Sequence, residues 1–173
     1  MLSVLLTITV ITIGFFTWII SVRRKLSTLD ENIMNIMIQI GVQLSCRFDA
    51  LMGLLELTGR YEKQESEVLK EAVRLSRSRI TVKSIPEDLR CQEEMISETL
   101  GRIALIRKRN PQLCRNEDFT KAMDANETFE SMLGTSCLIY NDIATKLNNE
   151  IHRFPVLIFA GLLGFKKRTY ITK

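Results

Sequence analysis

Histidine, tryptophan, proline and glycine are all scarce in this 173-residue chain, which has one His, one Trp, three Pro and eight Gly. With so few Pro and Gly the tight turns that join β-strands are missing, and no period-two alternation of apolar and polar residues persists. A sheet fold is excluded on that ground. The one histidine, His152, stands among Arg153, Phe154 and Pro155, where a cation at a helix end is a simpler role than acid–base work. Cys46, Cys91, Cys114 and Cys137 are separated by 45, 23 and 23 residues, so no close pair resembles a redox or zinc motif. Two bridges would suit an exported domain; reduced thiols, buried or half-buried, are the expectation here. Glycine-rich phosphate loops and nucleophile elbows are also missing. The expectation is a protein that is not an enzyme and holds no cofactor or metal.

Charge is absent in one place above all. Residues 2–22 hold no charged side chain, no proline and a single glycine, Gly14. About 20 apolar residues rising roughly 1.5 Å each cross a hydrocarbon core of about 30 Å, and this stretch has 21. Its hydroxyls, Ser3, Thr7, Thr9, Thr12 and Thr17, are tolerable because each can bond to the backbone one turn earlier. Trp18 near the basic end suits an interfacial aromatic. A cleaved signal peptide wants positive charge before a shorter apolar core and small residues after it; here Val22-Arg23-Arg24 stand where the small residues would be. The expectation is a retained transmembrane anchor over residues 1–22. No cysteine precedes Cys46, so no lipid-modified cysteine directly follows the run.

The net charge of +4 comes from 24 basic and 20 acidic residues. Every acid lies between Asp30 and Glu150, whereas Arg23, Arg24, Lys25, Lys166, Lys167, Arg168 and Lys173 fall outside residues 26–165. That body carries 17 basic and 20 acidic residues, a net of −3. A nucleic-acid module wants a basic stripe, so nucleic acid is not an expected partner. The surplus charge instead flanks apolar sequence. Lys and Arg beside a membrane helix are retained on the cytoplasmic side, so Arg23-Arg24-Lys25 place the N-terminus outside and the body in the cytoplasm, as a single-pass protein of the cytoplasmic membrane.

Beyond the anchor, apolar residues recur at alternating three- and four-residue steps, the pattern of helices that bury one stripe. One stripe reads Leu26, Leu29, Ile33, Ile36, Ile40, Leu44, Phe48, Leu51 and Leu55; a second Val68, Ala72, Leu75 and Arg79; a third Leu89, Ile96, Leu100, Ile103 and Ile106. The longest runs Phe119, Ala122, Asn126, Phe129, Leu133, Ser136, Tyr140, Ile143, Leu147, Ile151 and Phe154. Asn116 is a fair N-cap for it, and Pro155 limits its end. The fold predicted is all-α: an N-terminal transmembrane helix followed, over residues 26–153, by an antiparallel up-and-down four-helix bundle. With a reversal at Gly53, its helices cover about 26–51, 54–80, 87–109 and 117–153, and the last returns to the membrane. Residues 154–173 are apolar and then basic at Lys166, Lys167 and Arg168. They are too short to span; they cap the open end of the bundle, lie in the interface of an anionic leaflet, or do both at once.

Asn110-Pro111-Gln112-Leu113, then Asn116, Phe119, Glu130, Tyr140-Asn141-Asp142, Asn148, Ile151, Phe154-Pro155, Ala160 and Gly164-Phe165 form an ordered series. Upstream stand Ile40, Val42, Gln43, Leu44, Arg47, Asp49, Leu54, Tyr61 and Glu65. In order and spacing the series resembles the LemA family of bacterial membrane-anchored proteins. The resemblance implies a single membrane helix with its N-terminus outside, a cytoplasmic bundle, and no established enzymatic activity or cofactor. It also implies association with membranes: relatives are often encoded near membrane proteases, and one branch takes part in building magnetosome membranes. Two departures stand out. The family usually has proline and asparagine where this chain has Met52-Gly53, so a continuous bent helix competes with a turn there; and Ser45, Cys46, Cys137 and Leu138 replace basic positions.

Gln43, Arg47 and Asp49 on the first body helix, with Glu130, Tyr140, Asn141, Asp142 and Asn148 on the last, are the candidate site. They form either an inter-helix polar network that fixes register or a site for a partner or ligand. Glu93-Glu94 and Glu117-Asp118 read as solvated faces or helix-dipole partners. The function expected is a non-catalytic scaffold or interaction module at the cytoplasmic membrane face. Its partners would be the membrane and other membrane proteins, a membrane protease among them, or further copies of itself. The alternative is a sensor binding a small ligand inside the bundle through Arg47, Asp49, Tyr140 and Asn141.

Overall fold

The computed structural model describes residues 1–77, 84 and 86–172. The expected stripe member Arg79, the predicted helix end at residue 80, Ile85 and Lys173 lie outside the described residues. The fold is all-α, with a long first helix packed against helices that form a bundle. Helix α1 covers Leu2–Thr58, α2 Lys63–Ser76, α3 Pro86–Arg109, α4 Glu117–His152 and α5 Val156–Ala160, with one 3-10 turn at Pro111–Arg115.

Helix α1 runs through Gly53, so the reversal expected there does not occur. Glycine inside a helix costs about 1 kcal/mol against alanine, whereas proline costs about 3. Leu51, Leu54 and Leu55, all buried around Gly53, outweigh that cost. The chain turns instead at Gly59. A Cβ there would stand 3.3 Å from the Leu55 carbonyl oxygen and 3.5 Å from Ser66 Cβ, so glycine lets α2 approach the end of α1. The Thr58 and Ser66 hydroxyls meet at 3.1 Å across this turn, and the amides of Tyr61 and Glu62 both donate to the Thr58 carbonyl.

Moving the turn from residue 53 to residue 59 also resets α2. Val68 and Leu75, expected inside, are exposed, and Ser66 and Val73 are buried in their place. The other stripes hold better. On α3, Leu89, Gln92, Ile96, Thr99, Ile103 and Ile106 are buried, a strict alternation of three- and four-residue steps. On α4 the Asn116 side chain accepts from the amides of Asp118 and Phe119 at 2.9 and 3.2 Å, which is the N-cap expected from the sequence. Phe154, expected as the last member of the α4 stripe, is 81% exposed; α4 has already ended at His152.

The chain divides into two compact units. The first comprises residues 1–34 and 141–169. Its apolar contacts include Leu26, Ile33, Ala144, Leu147, Ile151, Val156 and Ala160, all buried. The stretch Val4 to Phe16 is by contrast exposed, and α1 is long and apolar enough to cross a membrane, its most apolar window having a mean hydropathy of 2.2. Thr7, Thr9, Thr12 and Thr17 each donate to a carbonyl three or four residues earlier at 2.7–2.9 Å, so these four hydroxyls are satisfied by the backbone.

The second unit comprises residues 35–140 and the C-terminal residues from Tyr170 onward. Ile40, Leu44, Phe48 and Leu51 of α1, Val73 of α2, Ile96 and Ile103 of α3, and Phe119 and Leu133 of α4 make its core. Helices α1 and α2 are antiparallel: Thr58 faces Ser66 at one end, and Arg77 reaches back to Ser45 and Asp49. Arg109 at the end of α3 pairs with Glu62 and Glu65 at the start of α2, as antiparallel neighbours do. None of the four cysteines is in a disulfide; Cys137 is buried and Cys46 half-buried, while Cys91 and Cys114 are exposed rather than covered as expected.

Candidate functional site

Arg47 lies in the middle of the buried stripe of α1, between Leu44 and Phe48, with a side chain only 3% exposed. A guanidinium so placed needs partners, because a buried unpaired charge costs several kcal/mol. Its Nη1 donates to both carboxylate oxygens of Glu93 at 2.5 Å. Its Nη2 donates to Glu130 Oε2 at 3.0 Å and to Asn126 Oδ1 at 3.3 Å, and Nε donates to the same Asn126 oxygen at 3.4 Å. Asn126 Nδ2 completes the exchange by donating to the Arg47 carbonyl at 3.4 Å. One side chain of α1 is thereby tied to α3 and to α4, using the planar fork that lysine lacks.

Of the residues singled out in the sequence, Arg47 and Glu130 are brought together, and Gln43 lies one helical turn before Arg47. Gln43 is buried, and its Oε1 has no hydrogen-bond partner among the described residues. Asp49 is exposed and pairs with Arg77 at 2.8 Å, while Asp142 is exposed and pairs with Lys146 at 2.7 Å along its own helix. Neither joins the Arg47 cluster. Tyr140 is buried in the second unit, whereas Asn141, Asp142 and Asn148 fall in the first. Of the group expected to hold a ligand, Arg47 is buried among Glu93, Asn126 and Glu130 whereas Asp49 is exposed and pairs with Arg77. Asn148 holds the C-terminal chain instead: its Nδ2 donates to the Arg168 carbonyl and its Oδ1 accepts from the Arg168 amide, both at 2.9 Å.

Two members of the cluster were not expected. The sequence reads Glu93 as part of a solvated face or a helix-dipole partner, and Asn126 only as one position of an apolar stripe. A signal existed for the second, since Asn126 sits at seven-residue spacing between Phe119 and Leu133, both fully or nearly fully buried, and a polar residue in such a seam demands a buried partner. Glu93 and Glu94 face different neighbours. Glu94 pairs with Arg90, which also binds Glu87. The hydrogen bond from Arg90 holds the Glu87 carboxyl below the usual carboxylate range, and the two acids push the Arg90 guanidinium up.

Beside the cluster lies a groove of about 540 Å³, lined among others by Arg47, Glu93, Leu89, Leu133, Cys137 and Ile171. It is part apolar and part charged. Among the described residues no group of three or more His, Cys, Asp or Glu side chains is placed to hold a metal ion. His152 is exposed in the last turn of α4, away from these groups in sequence and in unit.

The basic residues near the apolar run divide in two. Arg23, Arg24, Lys166 and Lys167 are exposed. Lys25 pairs with Glu150 at 2.6 Å, and Arg168 Nη2 pairs with Asp30 at 2.7 Å. The hydrogen bond from Lys25, helped by Arg153, holds the Glu150 carboxyl below its ordinary value.

Fold and site together define an all-helical protein whose first helix begins with a span-length apolar run and continues into a bundle locked by a buried arginine. The sequence model of the LemA family matches residues 37–173. The chain belongs to the LemA family. A comparison with curated proteins finds no match.

Proposed function

We propose that this LemA family protein is a membrane-tethered, non-catalytic interaction module, anchored by residues 1–22 with its bundle on the cytoplasmic side. The observation that carries the reading is the contrast along α1: the apolar stretch from Val4 to Phe16 is exposed, whereas the apolar stripe from Ile33 to Leu55 is buried. A helix apolar on all faces whose side chains are exposed over that length is stabilised by lipid around it. Retention is favoured over cleavage because α1 runs without interruption from Leu2 to Thr58, so a cut near Val22 would sever a helix whose next turns, at Leu26 and Ile33, are packed. Arg23 and Arg24 set the orientation by the preference of basic residues for the cytoplasmic side.

An interaction role is supported by Ile38 and Val42, exposed one turn apart on α1, and by Leu138 and Ile139 on α4. Partners would be other membrane proteins, a membrane protease among them, or a second copy. A photo-crosslinker at Val42 in native membranes should capture a defined protein or a dimer, and Ile38→Ser should reduce that capture. Recovery of monomer alone under varied conditions would overturn the interaction reading.

The groove beside Arg47 favours one second reading, a sensor for a small ligand. Thermal-shift screening of the full chain decides it. A compound whose stabilisation disappears in Glu130→Gln would establish it, and an empty screen would remove it.

A further inference from the structure

The apolar segment that follows α4 has no place in the bundle interior. Val156 and Ala160 are buried, but Phe154, Leu157, Ile158 and Leu162 are exposed, Phe154 at 81% and Leu162 at 83%. These large side chains lie in a stretch without charge, bounded by Arg153 before it and Lys166 after it. Its position is fixed by a ring contact: Phe159 meets Phe15 of the apolar run edge-on, centroids 5.9 Å apart, and Phe15 stacks on Trp18 at 6.2 Å. Phe15 stands eight residues before Arg23, about 12 Å along a helix axis, which is most of one leaflet's share of a roughly 30 Å core.

The charged neighbours mark the level at which the segment leaves and returns. Lys25 with Glu150, and Asp30 with Arg168, are ion pairs, and both lie past the basic end of the apolar run. Between Glu150 and Arg168 the chain moves toward Phe15, then comes back. The return is made at Gly164, whose φ is +82°, a value that favours glycine. Five backbone donors are bonded within the segment and its entry: Leu157 to the Arg153 carbonyl, Ile158 to Pro155, Leu163 to Phe159, Gly164 to Gly161 and Phe165 to Ala160, at 2.9–3.2 Å. Internal satisfaction of this kind is what a lipid environment requires of a backbone.

We infer that residues 154–165 are a second membrane element, a short re-entrant hairpin that dips into the same leaflet as the basic end of the anchor. Exposed Lys166 and Lys167 sit at its exit, where anionic headgroups attract them. The inference rests on the anchor reading above and has the segment do both things that the sequence allows: the buried face at Val156 and Ala160 caps the first unit, and the opposite face meets lipid.

The native chain has a single tryptophan, Trp18, which gives the test its own control. The full chain is reconstituted in phosphatidylcholine and phosphatidylglycerol vesicles with and without brominated acyl chains, as wild type, as Trp18→Phe/Leu162→Trp, and as Trp18→Phe/Met132→Trp. Wild-type emission should be quenched by bromolipid. The indole introduced at position 162 should be blue-shifted, lose most of its intensity to bromolipid and resist aqueous iodide, whereas the one at position 132 should do the reverse. A quenched wild type with an iodide-accessible, unquenched indole at position 162 would overturn the hairpin and leave the anchor standing. An unquenched wild type would overturn both. Leu157→Trp in the Trp18→Phe background repeats the measurement on the same exposed face, and its failure to be quenched would count equally against the hairpin.

Discussion

Arg47 was legible as a candidate position from the family-like series around it, yet its partners were not, because a sequence shows which residues share a helix face and not which helix lies opposite. Asn126 was the exception, being a polar residue in an apolar seam. The arginine's role leads to a graded prediction. Arg47→Ala leaves the partly buried Glu93 without its cation and should cost about 3 kcal/mol, the lower end for breaking a buried pair, read by urea unfolding of the full chain in detergent. Glu93 has 20% of its side chain exposed and Glu130 has 49%, so Glu93→Gln should cost more than Glu130→Gln, the latter staying within about 1 kcal/mol. Equal costs would mean that solvent reaches both sides of the guanidinium. Gln43 makes the opposite case. Its buried Oε1 finds no partner among the described residues, and removing an unsatisfied acceptor recovers its desolvation penalty, so Gln43→Met should be neutral or raise the melting temperature. A loss of more than about 1 kcal/mol, the scale of a typical net hydrogen bond, would show that the amide is paired after all.

At the scale of elements, periodicity identified every long helix, and the residues read as the α1 and α3 stripes are buried except Leu29 and Leu100, which are half-buried, while Gln92 and Thr99 join the buried face of α3. The position of the first turn was not legible, because two glycines, Gly53 and Gly59, stand six residues apart and only packing distinguishes them. Nothing lies within 4 Å of a Cβ built on Gly53, so Gly53→Ala should stabilise the protein by about 1 kcal/mol, the helix-propensity difference. Gly59→Ala should destabilise it, since the added methyl meets the Leu55 carbonyl and Ser66. Calorimetry on the pair of variants checks both signs, and the opposite pattern would put the reversal back at Gly53. The same displaced turn explains why the α2 stripe was misread by half a helix. The lipid-facing character of residues 154–165 was half legible: their composition announced an apolar segment beside a basic cluster, but its location depends on the Phe15–Phe159 contact, which joins positions 144 residues apart in sequence.

At the scale of the molecule, ion pairs close the first unit between α1 and the C-terminal chain, and their pH dependence has a definite sign. Glu150 has its folded pKa lowered, first by the Lys25 hydrogen bond. The stabilisation is therefore complete above the unfolded carboxylate value, about 4.3, and disappears as the pH falls through the lower folded value. For a pair with Lys25 more than half exposed, the effect should stay within about 1 kcal/mol. Acid unfolding of Lys25→Met should start at higher pH than that of the wild type, while the two stabilities converge at the acid end; parallel curves would remove the pair from the account. The scarcity of proline and glycine goes with a molecule built of long helices.

The central claim is a retained anchor with the bundle in the cytoplasm, and the exposed thiols of Cys91 and Cys114 report on it directly. A membrane-impermeant maleimide is applied to intact bacterial cells expressing the chain and, separately, to inverted membrane vesicles from the same cells. The account predicts a full-length protein that stays with the membranes and is labelled in the inverted vesicles only. Labelling in intact cells, or a shortened chain in the soluble fraction, would contradict it.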